Sequence, residues 1–154
     1  MDNITYRSAT LEDLPTLLEF EQGIVLAERP FDVTLKPDPI SYYDLKELIL
    51  SKTVEVHVAA HNNVVIGSGY AKIMDSKPYH THEQHVYLGF MYVHPNYRGQ
   101  GVIQTITEAL KTWAKTNGVY EARLDVYHDN APAIRAYEKS GFIKNMVEMR
   151  MSLK

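Results

Sequence analysis

The segment MYVHPNYRGQGVIQTI at 91–106 holds the residues whose types and spacing speak most directly of chemistry. An apolar run ends at Pro95, and Arg98-Gly99-Gln100-Gly101 leads straight into an amphipathic stretch. Glycines let a backbone turn sharply and bring several N–H groups close to a ligand. At the start of a helix those N–H groups, with the positive end of the helix dipole, form a site suited to an anion such as phosphate. Arg98 adds a fixed cation beside it. The plain alternative is a strand-to-helix turn that holds nothing. A P-loop requires Gly-Lys-Ser/Thr at its close, which is absent. A dinucleotide fingerprint requires G-x-G-x-x-G, and its third glycine position is Gln104. Asp125 falls roughly where that fold carries a ribose-binding acid, but the hairpin that precedes the loop and the short chain argue against it.

A second segment, LDVYHDNAPAIRAYEKSGF at 124–142, carries Asn130 and Tyr137. Taken alone, Asn130 is a helix N-cap before Ala131-Pro132, because proline suits the first helical turn. Taken alone, Tyr137 is a core aromatic on an amphipathic helix. His80, His82, Glu83 and His85 make a third group. Their spacing, H-x-H-E-x-H, matches no helix-borne zinc motif, and a polar loop with some histidines is the commoner arrangement, so no metal is expected.

These residues need elements to position them. Ile4 to Arg7 is a short strand candidate. Thr10 and Asp13 form a capping-box-like pair before Leu11, Leu14, Leu17 and Leu18 at helical spacing, with Pro15 in the first turn. The stretch 27–40 has three prolines and reads as a loop, and Ser41 caps a second helix to about Leu50. Val54, Val56 and Val58 alternate, His61-Asn62-Asn63 turns, and Val64 to Met74 returns, so 54–74 is a hairpin. Gly67 and Gly69 in its second strand point to a bulge or a close backbone approach. Residues 75–84 are a polar loop, and Val86 to Val93 is the next strand. Ile103, Ile106, Leu110 and Trp113 mark a helix from about Gly101 to Asn117, closed by Asn117-Gly118. Ala122, Leu124 and Val126 alternate as a strand. Ala131 to Ser140 is a helix stopped by Gly141. Val147, Met149 and Met151 alternate as a last strand.

That order places three antiparallel-type strands before two strand–helix units, which makes an α/β fold with a mixed sheet. With 154 residues and 45% apolar residues, one domain over 1–154 is expected. A net charge of -3 disfavours a nucleic-acid partner and mildly suits a cationic acceptor. The absence of cysteine excludes disulfides, a thiol nucleophile and thiolate metal sites. Neither a signal peptide nor an 18-residue apolar run is found, so no membrane span is expected and cytoplasmic residence is the default.

The first segment resembles the R/Q-x-x-G-x-G/A signature of the GNAT N-acetyltransferases, with Arg98, Gly101 and Ile103 at its fixed positions. Ile103 departs from the usual small residue, so its bulk shifts the loop or the ligand slightly. The second segment resembles the family's N-x-x-A-x-x-x-Y-x-x-x-G-F block through Asn130, Ala133, Tyr137, Gly141 and Phe142. The resemblance covers about 86–142 and implies a GNAT-like mixed sheet of about six to seven strands flanked by about four helices.

It also implies an acetyl-CoA-dependent N-acetyltransferase whose primary-amine acceptor, a small molecule or a peptide, attacks the thioester directly. Backbone groups of Met91 and Val93 would hold the pantetheine arm. N–H groups of Arg98, Gly99, Gln100, Gly101, Val102 and Ile103 would hold the pyrophosphate. Asn130 would bind near the pantetheine or the phosphates. Tyr137 would protonate the leaving thiolate. A backbone N–H between Phe90 and Tyr92 would stabilise the oxyanion. The motif leaves the general base open among Asp125, Glu83, His85 and Tyr87. It suggests that Glu28, Arg29, Phe31, Tyr42, Tyr43 and the histidine loop wall the acceptor site. Such proteins often form homodimers. A non-catalytic acyl-CoA binding module on the same fold is the alternative, and the presence of Asn130 and Tyr137 favours the enzyme.

Overall fold

The computed structural model of the chain describes residues 3–154. Five strands form one sheet in the order β1-β2-β3-β4-β5: β1 Ile4–Ser8, β2 Val54–His61, β3 Val64–Asp75, β4 Gln84–Val93 and β5 Ala122–Arg123. All neighbours are antiparallel except β4 and β5, which run parallel. Four helices complete the fold: α1 Leu14–Glu28, α2 Leu45–Leu50, α3 Val102–Thr116 and α4 Ala131–Lys139.

The sheet is apolar on both faces because helices cover both. Leu17, Phe20 and Ile24 of α1 and Leu45 of α2 pack on Val54, Val56, Val58 and Phe90. On the other face Val102, Ile106 and Leu110 of α3 pack on Ala59, Ile66, Val86 and Leu88. Gly67 and Gly69 explain how closely α3 lies. A side chain at Gly69 would come within 2.7 Å of Met91 Sδ and 3.0 Å of Ile106 Cγ2. Asn62 and Asn63 take positive φ of 51° and 66°, the conformation a two-residue hairpin turn demands.

Local capping differs from the sequence expectation in two places. Thr10 and Asp13 do pair, the Thr10 N–H donating to Asp13 Oδ2 at 2.8 Å, but they flank a 3-10 turn that then feeds α1. The cap of α2 is Asp44, which accepts from the Glu47 N–H at 3.1 Å. Ser41 instead donates to the buried Glu21, which also accepts the N–H groups of Tyr42 at 2.9 Å and Tyr43 at 2.8 Å. One carboxylate on α1 thus fastens the segment leading into α2. Within the proline-rich stretch, α1 continues to Glu28 and one 3-10 turn covers Arg29–Phe31.

The sheet is narrower than the six to seven strands expected. β5 pairs over two residues only, because β4 and β5 separate beyond Tyr87 and Arg123, leaving Leu124 to Val126 without a ladder. Val147, Met149 and Met151 keep their alternation but have no strand beside them, and all three are exposed. Periodicity describes a strand's two faces and does not supply the neighbour that must accept its hydrogen bonds. No helix among the described residues is long and apolar enough to cross a membrane.

Candidate active site

The separation of β4 from β5 opens a fork between the last two strands of the sheet. At its apex Phe90 has a φ of 57°, a left-handed conformation that costs a bulky residue about 1–3 kcal/mol. The β3–β4 register passes there from Tyr70↔Gly89 to Ser68↔Tyr92, a bulge opposite Gly69. The Phe90 carbonyl accepts from Ser68 Oγ on β3 at 3.0 Å. In a planar trans peptide the next N–H points the opposite way, so the Met91 N–H turns from β3 toward the fork. The strain therefore aims one donor at the opening between the two strands.

Beyond the fork, a 3-10 turn at Pro95–Tyr97 leads to Arg98. Arg98 Nε donates to the Val93 carbonyl at 2.9 Å, and the guanidinium carbon lies 5.8 Å from the centre of the Tyr92 ring. Arg98 thereby ties the loop to the end of β4, and one of the two Val93 backbone groups is already engaged. Gly99 and Gly101 have φ of 74° and 80°, and open space surrounds both. The first bond into α3 runs from the Thr105 N–H to Gly101 O at 3.1 Å. Among the described residues, the N–H groups of Gly99 through Gln104, including Gln100, Val102 and Ile103, donate to no protein group. A row of free donors at a helix start is the arrangement that holds a phosphate.

Asn130 caps α4, its Oδ1 accepting from the Ala133 N–H at 3.3 Å. Tyr137, two turns along α4, sets its ring edge-on to Phe142 at 6.0 Å. Burial, aided by the negative charge of Glu28, pushes its phenol up to about 12. Tyr137 is therefore a protonated donor at neutral pH.

The α1 side of the fork is lined by aromatic rings. Tyr43 meets Tyr70 at 5.7 Å and Phe90 at 5.4 Å, both edge-on, and Phe31 stacks on Tyr127 at 6.0 Å. Glu28 stands at the C-terminus of α1; burial raises the hydroxyls of Tyr42, Tyr43, Tyr127 and Tyr137, and the Glu28 charge adds to the lift at each. Burial lifts the Glu28 carboxyl above its ordinary value. Asp32 adds to the lift, and the Tyr42 hydroxyl opposes it without making a hydrogen bond of good geometry. Arg29, next in the chain, pairs away with Asp38 at 2.6 Å. Asp32 accepts from Tyr127 Oη at 3.1 Å and from Arg150 Nη2 at 3.0 Å; the hydroxyl and N–H of Thr34, then Arg150 and Tyr127, hold its carboxyl well below the usual range.

Of the four residues considered for the base, Tyr87 and Asp125 come together. Tyr87 donates to Asp125 Oδ2 at 3.1 Å, and burial together with the Asp125 charge raises the phenol, so Tyr87 keeps its proton. Asp125 is exposed and engaged by that bond. His85 lies near the other end of β4, about 16 Å of strand from the bulge at Phe90, and Glu83 precedes that strand. His85 bonds Ser76 Oγ at 2.8 Å, and burial beside Arg123 lowers its pKa. His82 faces Glu121 at 3.3 Å and His80 faces Arg123 at 3.3 Å. No three His, Cys, Asp or Glu side chains gather as metal ligands would among the described residues. Glu28 was legible only as a wall residue. Its signal as something more is an acid at a helix C-terminus, where the dipole disfavours a negative charge.

The family model described as the acetyltransferase (GNAT) family matches residues 22–142, and the chain belongs to that family. Its fold is shared by a predicted acetyltransferase from Clostridium acetobutylicum solved with acetyl-CoA, at 20% identity, 97% and 96% coverage of the two chains and a TM-score of 0.73. A mutant of the BH1408 protein from Bacillus halodurans matches at 19% identity, 97% and 99% coverage and a TM-score of 0.86. An aminoglycoside acetyltransferase from an uncultured soil metagenomic sample, in complex with sisomicin, matches at 19% identity, 99% and 98% coverage and a TM-score of 0.70. At these identities the likeness establishes the fold. No curated protein matches the sequence significantly.

Proposed function

We propose that the protein is an acetyl-CoA-dependent N-acetyltransferase that moves the acetyl group from the thioester to a primary amine by direct attack. The observation that carries this reading is the row of free N–H groups from Gly99 to Gln104, set beside a fork in the sheet. A pyrophosphate on those donors leaves the pantetheine arm to run along β4 and enter the fork near Met91. The neighbour solved with acetyl-CoA supports that donor. The neighbour in complex with sisomicin supports an amine-bearing acceptor, a class rather than a compound.

The chemistry follows from groups already placed. A neutral amine attacks the thioester carbonyl, and the oxyanion that forms accepts from the Met91 N–H. The carbon–sulfur bond then breaks, and Tyr137 donates its proton to the departing thiolate. Glu28 is the base that this geometry favours. It is charged, half-buried and free of any ion pair, and it lies close enough to Tyr137 to raise its phenol. Asp125, already engaged by Tyr87, is the second choice.

Tyr137→Phe tests the assignment. Thiol release should fall about 100-fold in kcat with an amine panel, while the affinity for acetyl-CoA holds. An unchanged rate would remove Tyr137 from the mechanism. Acetyl-CoA binding with no thiol release to any amine would instead mark a non-catalytic acyl-CoA module.

A further inference from the structure

The loop that carries the row of free N–H groups is anchored at few points. Among the described residues, every hydrogen bond of residues 95–101 but one stays within 93–105. The Tyr97 N–H donates to the His94 carbonyl at 2.8 Å, Arg98 Nε to the Val93 carbonyl at 2.9 Å, and the Thr105 N–H to the Gly101 carbonyl at 3.1 Å. Such bonds shape the loop but move with it. Nothing lies within 4 Å of where a side chain at Gly99 or Gly101 would start, so packing does not hold those two residues either.

The exception runs to His61. Its Nδ1 lies 2.7 Å from Tyr97 Oη, a bond between residues 36 positions apart in the chain. The two rings meet edge-on with centroids 5.4 Å apart, and the His94 ring meets the same tyrosine at 6.0 Å. Tyr97 also packs against the core under α3. His61 has a firm seat. It is the last residue of β2, it faces Ile4 of β1 and Val64 of β3 in the ladders, and the Asn62-Asn63 turn follows it. Both partners are half-buried, where water competes less for the bond. A phenol can donate or accept, so the bond survives either imidazole tautomer.

We propose that His61 is a positioning residue for the donor site. Through Tyr97 it ties the phosphate loop to the β2–β3 hairpin, so that the N–H groups from Gly99 to Gln104 are already set before a pyrophosphate arrives. The inference rests on the acetyl-CoA reading above. A loop held in its binding conformation loses less freedom when the ligand binds. Without the tie, the loop spends only a fraction of its time ready to bind, and the apparent dissociation constant rises by the inverse of that fraction. The effect falls on donor affinity rather than on the chemical step. On the same reading the thioester sits at the fork near Met91, and neither His61 nor Tyr97 belongs to the fork.

The test is a double-mutant cycle on the full chain, read by calorimetric titration of acetyl-CoA. Tyr97→Phe removes the hydroxyl and keeps the ring, and the dissociation constant should rise about fivefold. His61→Ala should raise it by a similar factor, and the double variant should be no weaker than either single one. His61→Asn, whose amide reaches about where Nδ1 stood, should restore most of the affinity. In thiol release with the amine panel, KM for acetyl-CoA should rise with kcat unchanged. A pair that served only the fold would lower the melting temperature and leave the dissociation constant alone. Equal affinity in wild type and Tyr97→Phe would overturn the inference while the acetyl-CoA reading stood. So would additive losses in the double variant, or a His61→Asn protein as weak as His61→Ala. A wild-type protein that binds no acetyl-CoA would remove the reading and the inference with it.

Discussion

At the scale of single residues, the site rests on groups whose placement costs the fold something. Phe90 accepts a left-handed backbone beside the fork, with its carbonyl turned to the Ser68 hydroxyl. Glu28 keeps a charge at a helix end, half-buried, without an ion pair. Both are local losses of the kind that concentrate where chemistry is done. Glu28 carries a pH prediction. Its folded pKa lies above the ordinary carboxyl value, and a base must be unprotonated. Activity should therefore be present above that raised pKa and disappear as pH falls through it. In Glu28→Gln the acidic limb of the kcat/KM profile should vanish and the rate drop about 100-fold. The same shift acts on stability with the opposite sign, because the folded state disfavours the charged form. At neutral pH Glu28→Gln should then melt higher than wild type. An acidic limb that survives in the variant would assign the base to another group, Asp125 first.

At the scale of elements, what the sequence made legible was what depends on local signals. Gly99 and Gly101 needed positive φ, Pro95 ended β4, and Ile103, Ile106, Leu110 and Trp113 spelled out one face of α3. Gly67 and Gly69 announced a close approach, which proved to be that of α3. Gly69→Val should accordingly lower stability by about 1–3 kcal/mol, read as a lower denaturant midpoint, since the new methyl groups must displace Met91 and Ile106. A midpoint unchanged would mean that α3 can move away freely. The fork was not legible in the same way. It turns on a phenylalanine in a glycine-like conformation and on where two parallel strands stop pairing, and neither leaves a pattern along the chain. Glu28 was not singled out as a candidate base for a related reason, since its charge bears on Tyr137 only once the chain is folded.

At the scale of the whole molecule, the sheet divides the work. The face under α3 is one apolar core, and the start of that helix has free N–H groups of the kind that suit a phosphate. The opposite face carries α1, α2 and the tyrosines, and there Glu21 clamps the segment that brings Tyr42 and Tyr43 to the fork. On the proposed reading, the donor and the acceptor are served by different faces and meet where β4 and β5 part. The alternation at Val147, Met149 and Met151 was readable, but no strand of the sheet lies beside it among the described residues, and so the expected strand count was too high.

The most direct test of the central claim is a calorimetric titration of acetyl-CoA into the purified protein, with NAD as comparator. Micromolar binding of acetyl-CoA, with none of NAD, is the expected result, because the donors from Gly99 to Gln104 suit a pyrophosphate and Gln104 stands where a dinucleotide site needs glycine. No binding of acetyl-CoA would contradict the account and return the loop to a strand-to-helix turn that holds nothing.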